Sequence, residues 1–129
     1  MELGTQIRPA AEAEAEPHFI FIDRPVDLTH LARYTMGNAV VEREVLELFR
    51  RQTRLYFDKL SRATSDDAWR EAARVLTASA RGVGAWQILK TAEAAEQLVS
   101  AKGATMREEL LRTLDRQIDE ATQFIDSLL

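Results

Sequence analysis

Cysteine is absent from the 129-residue chain, which excludes a disulfide framework and any thiolate metal site. Histidine occurs only at His18 and His30, with neither an H-x-x-x-H nor an E-x-x-H arrangement, so the spacing of a histidine metal centre is missing as well. No metal and no cofactor are expected. No apolar run approaches the roughly 20 residues that a membrane-spanning helix requires. Met1-Glu2-Leu3-Gly4-Thr5 lacks the basic region and apolar core of a secretory signal. The expected location is cytoplasmic, without a membrane partner. Positive charge is not in excess either: 17 Lys and Arg against 21 Asp and Glu leave a net charge of −4, which argues against generic nucleic-acid binding. Gly82-Val83-Gly84 lacks the third glycine of a dinucleotide-binding turn and follows a helical pattern, so it reads as helix punctuation.

What is present is helical periodicity over most of the chain. With 46% hydrophobic residues the length suits one domain with a modest core. Residues 1–24 stand apart: the Ala-Glu run over residues 10–16 has no apolar period and reads as a mobile tail, followed by the short apolar segment Phe19-Ile20-Phe21-Ile22. That segment is expected to lie across the body of the protein; if it protruded instead, it would offer a sticky surface for dimerisation of an otherwise monomeric chain. Residues 25–129 carry the domain. Asp27 caps a short first helix facing Leu28, Leu31 and Ala32 inward, and Gly37 stops it. Asn38 opens a long second helix to about Arg62, with the stripe Val41, Val45, Leu48, Phe49, Leu55, Tyr56 and Leu60. Thr64 and Asp67, at capping-box spacing, open the third helix. A fourth, about Ala85 to Ala101, buries Ile88, Leu89, Ala92, Ala95 and Val99 and stops at Gly103. Thr105 and Glu108 form a second capping box ahead of a last helix that repeats Leu111, Leu114, Ile118, Ala121, Ile125 and Leu128. The expected fold is all-α: an antiparallel up-down four-helix bundle with a short extra N-terminal helix.

The third helix carries the functional signal. Trp69, Ala72, Ala73, Leu76, Ala80 and Val83 recur at spacings of three and four, which places them on one side of a 3.6-residue helix. Arg70, Arg74, Thr77, Ala78 and Arg81 fall on the other. Arg70 and Arg74 are like charges four apart, a pairing that costs an isolated helix about 0.2–0.5 kcal/mol and that Asp66 and Asp67 can offset.

From Ala73 to Ala85 this helix resembles the histidine-containing phosphotransfer (HPt) domains of bacterial phosphorelays, whose motif reads roughly A-H-x-L-K-G-S-A followed by R-x-x-G-A. Leu76, Ser79, Ala80, Arg81, Gly84 and Ala85 agree with it. The family's phosphorylated histidine falls on Arg74, its lysine on Thr77 and its glycine on Ala78. The resemblance extends loosely over residues 25 to 125 and implies the same four-helix architecture. It also implies a partner, a response-regulator receiver domain or a histidine kinase, together with loss of the family's usual reaction. An HPt domain presents a neutral imidazole nitrogen as nucleophile; a guanidinium stays protonated and has no lone pair to offer. The phosphohistidine-equivalent position is thus Arg74, the docking face Arg70, Arg74, Thr77, Ala78 and Arg81, and no catalytic residue is assigned. Phosphotransfer through another residue would have to use His30 or His18. His30, beside inward-facing Leu31, reads as a half-buried histidine hydrogen-bonded to backbone. Trp69 and Trp86 read as packing anchors at either end of the third helix. A helical adaptor or dimerisation module unrelated to phosphorelays is the alternative class.

Overall fold

A computed structural model describes residues 24–98 and 103–129. The expected tail, the segment Phe19 to Ile22, His18 and Val99 lie outside the described residues. Within them the chain is all-helical, with no strand. Five helices follow in order: α1 (Leu28–Thr35), α2 (Ala39–Ser61), α3 (Asp66–Val83), α4 (Trp86–Glu96) and α5 (Ala104–Leu128).

Local chemistry sets the helix starts. Asp27 caps α1 by accepting from the His30 amide at 3.1 Å, and Asn38 caps α2 by accepting from the Val40 and Val41 amides at 3.0 and 3.1 Å. The α1 stop uses two left-handed residues, Met36 as well as the expected Gly37. Two expected capping boxes do not form. Ser65, rather than Thr64, caps α3 by accepting from the Ala68 amide at 3.1 Å, because Ser65 is the residue immediately ahead of the first helical turn. At α5 the cap position is Gly103 and Thr105 is already inside the helix, so the box drawn from Thr105 to Glu108 has no orphan amide to satisfy.

α3 packs against α2 and α4, and α5 packs against the same two helices from the other side; α1 lies against α2 and α3. The core runs through Leu46, Phe49 and Leu60 of α2, Trp69, Leu76 and Ala80 of α3, Ile88 and Ala92 of α4, and Leu114, Ile118 and Ile125 of α5. The α3 stripe is buried as its spacing predicts. The α2 stripe is rotated from the expected one: Leu46 and Thr53 point inward, whereas Val41, Leu48 and Leu55 are exposed. Thr53 tolerates burial because its hydroxyl donates to the Phe49 carbonyl at 2.8 Å. Leu128, expected in the core, is exposed at the end of α5.

Ion pairs along one side of α2 fix its register against α5. Arg54 reaches Asp115 at 3.0 Å and Asp119 at 2.8 Å, Arg50 pairs with Asp126, and Arg43 donates to the Leu129 carbonyl. All are part-exposed, so each contributes on the order of 0–1 kcal/mol.

The end of α3 is tied to the start of α1. Gly84, at φ +77°, caps α3, and its carbonyl accepts from the Asp27 amide at 3.0 Å. A Cβ at Gly84 would lie 2.7 Å from the Asp27 Cβ, so both the left-handed backbone and the close approach require glycine. Gly82, two residues earlier, has ordinary helical backbone and nothing within 4 Å of where a Cβ would stand. Gly84→Ala should therefore destabilise by roughly 2 kcal/mol or more, while Gly82→Ala should be neutral or stabilise by up to about 1 kcal/mol. Urea unfolding of the two variants checks this, and equal losses would contradict the assignment.

Candidate functional site

Burial of one side of α3 dictates what its other side presents. Trp69 and Ala73 are buried, and the Trp69 indole N–H donates to the Ala95 carbonyl of α4 at 2.7 Å. That bond and the apolar stripe fix the rotation of α3 about its axis, and Arg74, one residue on from Ala73, turns about 100° away toward solvent. Its side chain is 65% exposed, near the middle of the helix.

The five residues expected on this face do not form one surface. Arg70, Arg74 and Arg81 do share the solvent side, and each meets a carboxylate: Arg70 meets Asp67 at 3.5 Å, Arg74 meets Glu96 of α4 at 3.4 Å and Arg81 meets Glu93 of α4 at 3.3 Å. Thr77 is a correction. It is only 6% exposed, and its hydroxyl donates to the Ala73 carbonyl at 2.9 Å, because position 77 follows Ala73 by one full turn and inherits its inward direction. Ala78 is exposed but opens on the opposite flank, where it lines a shallow hollow with Val45, Leu48, Phe49 and Gln52 of α2. The cationic stripe and Ala78 thus border different neighbours.

Glu93 and Glu96 were not assigned to the face from sequence. Their three-residue spacing on α4, with Lys90 three further back, was the available signal. The result is a stripe of alternating charge instead of a block of positive charge. Such pairs are weak and exchangeable, because solvent screens them and ordering two long side chains costs entropy.

His30 takes a structural position. Its Nε2 lies 3.0 Å from the Arg81 carbonyl, and its ring meets the edges of Tyr34 and Trp86 at centroid distances of 5.1 and 4.9 Å. Trp86 in turn donates from its indole N–H to the Asp27 carboxylate at 3.0 Å. This cluster joins α1, the end of α3 and the start of α4. His30 and Arg74 are on separate parts of the molecule's α3 surface: the imidazole meets the last turn, the guanidinium the middle. Among the described residues no group of His, Asp and Glu is arranged to hold a metal ion. A depression of about 660 Å³ lies between the second half of α2 and the first half of α3, lined by Leu55, Tyr56, Lys59, Ala68 and Glu71 among others, and does not include Arg74.

Because Arg74 packs on nothing in the core, Arg74→Ala should change unfolding stability by no more than about 0.5 kcal/mol. A denaturation midpoint lowered well beyond that would make Arg74 a structural residue and remove it from any surface role. Comparison with protein-family models, with curated proteins and with solved structures found no match.

Proposed function

We propose that residues 25–129 form an up-down four-helix bundle of the phosphotransfer type, with α1 as the extra N-terminal helix. In this reading the protein docks on a receiver or histidine-kinase domain of a phosphorelay without accepting the phosphoryl group. The observation that carries the reading is the position of Arg74: a guanidinium projects to solvent from the middle of α3, where the resembling family presents its imidazole. The neighbouring motif residues Leu76, Ala80, Gly84 and Ala85 are buried and serve packing and the α3 stop, so the half of the motif that builds the helix is retained.

The chemistry of the substituted half follows from the side chains. Arg74 has no lone pair for attack at phosphorus. It is, however, suited to forked hydrogen bonding with carboxylate or phosphoryl oxygens. A receiver's acidic pocket, or the phospho-aspartate within it, would displace Glu96 from Arg74 and Glu93 from Arg81, exchanging weak exposed pairs for pairs shielded within an interface. Arg70 would contribute in the same way. Thr77 is buried and Ala78 opens on the flank toward α2, so the docking face reduces to Arg70, Arg74 and Arg81. The outcome of docking is competition for the receiver, protection of its phospho-aspartate or assembly of a complex, and no turnover is assigned to the chain.

The test is a binding screen against receiver domains from the same source, phosphorylated and unphosphorylated. A cognate receiver should bind the wild-type chain, and Arg74→Glu should weaken that binding by about ten-fold or more, since a like charge then faces the acidic pocket. Unchanged affinity in the Arg74→Glu protein would place the interface elsewhere.

A further inference from the structure

The exposed side of α2 carries a second pattern that neither the core nor the proposed docking stripe uses. Val41, Leu48 and Leu55 are separated by seven residues each and remain 38%, 46% and 51% exposed. An apolar residue every seventh position returns to nearly the same side of a helix, which gives one of the two rows that a seam between packed helices uses. Beside this row, on the flank turned away from α3, stand Glu44 and Arg51, both exposed. Arg50 and Arg54 are paired with α5, but among the described residues Glu44 and Arg51 have no ion-pair partner.

We propose that α2 packs against α2 of a second copy of this chain, antiparallel, about a two-fold axis at Leu48. The charge arrangement selects this occupant and this direction. With Leu48 opposite itself, residues whose numbers sum to about 96 face each other, so Val41 meets Leu55 of the second copy and Glu44 meets Arg51. A two-fold axis between antiparallel helices keeps the same flank of each helix on the same side, so both Glu44 and both Arg51 side chains come together in two equivalent pairs. A parallel two-fold seam would instead put the Glu44 and Arg51 flanks of the two helices on opposite sides, where these pairs could not form. The partner leucine also has a seat: on the other flank of Leu48 lies a hollow of about 170 Å³ lined by Val45, Phe49, Gln52, Ala78, Ser79 and Gly82. The inference does not depend on a phosphorelay partner.

Sedimentation equilibrium of the full chain over a wide concentration range should show a monomer–dimer equilibrium. Leu48→Glu should give monomer at every concentration while keeping the wild-type circular dichroism spectrum, since Leu48 is outside the core. Glu44→Arg and Arg51→Glu, each introducing two like-charge contacts, should each weaken association by about ten-fold or more, and the double variant Glu44→Arg/Arg51→Glu should restore it. With no native cysteine to interfere, Leu48→Cys should oxidise to a disulfide-linked dimer, whereas Glu108→Cys, exposed on α5, should not. A wild-type chain that stays monomeric, a dimer that survives Leu48→Glu, or a double charge swap that fails to restore association would each overturn the proposal.

Discussion

The contact between α3 and α4 is the constraint from which the rest of the surface follows. It is made of small residues: Ala73 and Ala80 on α3 and Ala92 and Ala95 on α4 have no exposed area. Without side chains beyond Cβ the two helices can approach closely, and close packing of many small contacts is both strong and unforgiving of rotation. Trp69 pins the arrangement at one end by donating to the Ala95 carbonyl, with the Arg107 guanidinium 4.4 Å above its ring. At the other end the Gly84 turn meets Asp27, whose carboxylate holds the Trp86 indole. Fixed at both ends, α3 has no freedom to turn Arg74 inward.

What this rotation exposes is a surface in which charges are matched locally. The three arginines of α3 face one carboxylate of their own helix and two of α4, and Arg50 and Arg54 of α2 face aspartates of α5. The excess of acidic over basic residues belongs to residues 1–23, and residues 24–129 carry as many basic as acidic side chains. Recognition through Arg74 therefore depends on exchange of partners, not on a free patch of positive charge. Such an interface would be selective for ligands that bind guanidinium better than an exposed glutamate does, which favours clustered carboxylates and phosphoryl oxygens. The apolar row of α2 has a different character, in that Glu44 and Arg51 beside it have no ion-pair partner among the described residues and stand on either side of Leu48 along the helix.

Much of the fold was legible because two period signals agree with the helices observed. The α3 stripe from Trp69 to Val83 and the α5 stripe from Leu114 to Ile125 are each the one continuous apolar row on their helix, so spacing alone identifies the buried side. On α2 the same method misassigned the face, because that helix carries two apolar rows: Leu46, Phe49 and Leu60 inward and Val41, Leu48 and Leu55 outward. Periodicity has no means of ranking two rows; the packing of α3 and α5 decides between them. Caps were legible where one residue could serve, as at Asp27 and Asn38, and not where several adjacent residues compete, as at Thr64 and Ser65. At the candidate site Arg74 was placed correctly on the exposed side, while Thr77 was not, since a threonine that bonds its own helix backbone satisfies its hydroxyl and can be buried like a valine. The pairing of Arg74 and Arg81 with α4 required the neighbouring helix and could not be read from the third helix by itself.

The central claim is that the chain binds where a phosphotransfer bundle would, yet cannot carry the phosphoryl group. Its most direct test is to mix the wild-type protein with a radiolabelled phosphorylated receiver it binds and to follow acid-labile phosphate on each chain. The account predicts a stable complex with all label remaining on the receiver or lost to water. Label transferred to this chain, whether on His30, His18 or any other side chain, would contradict it.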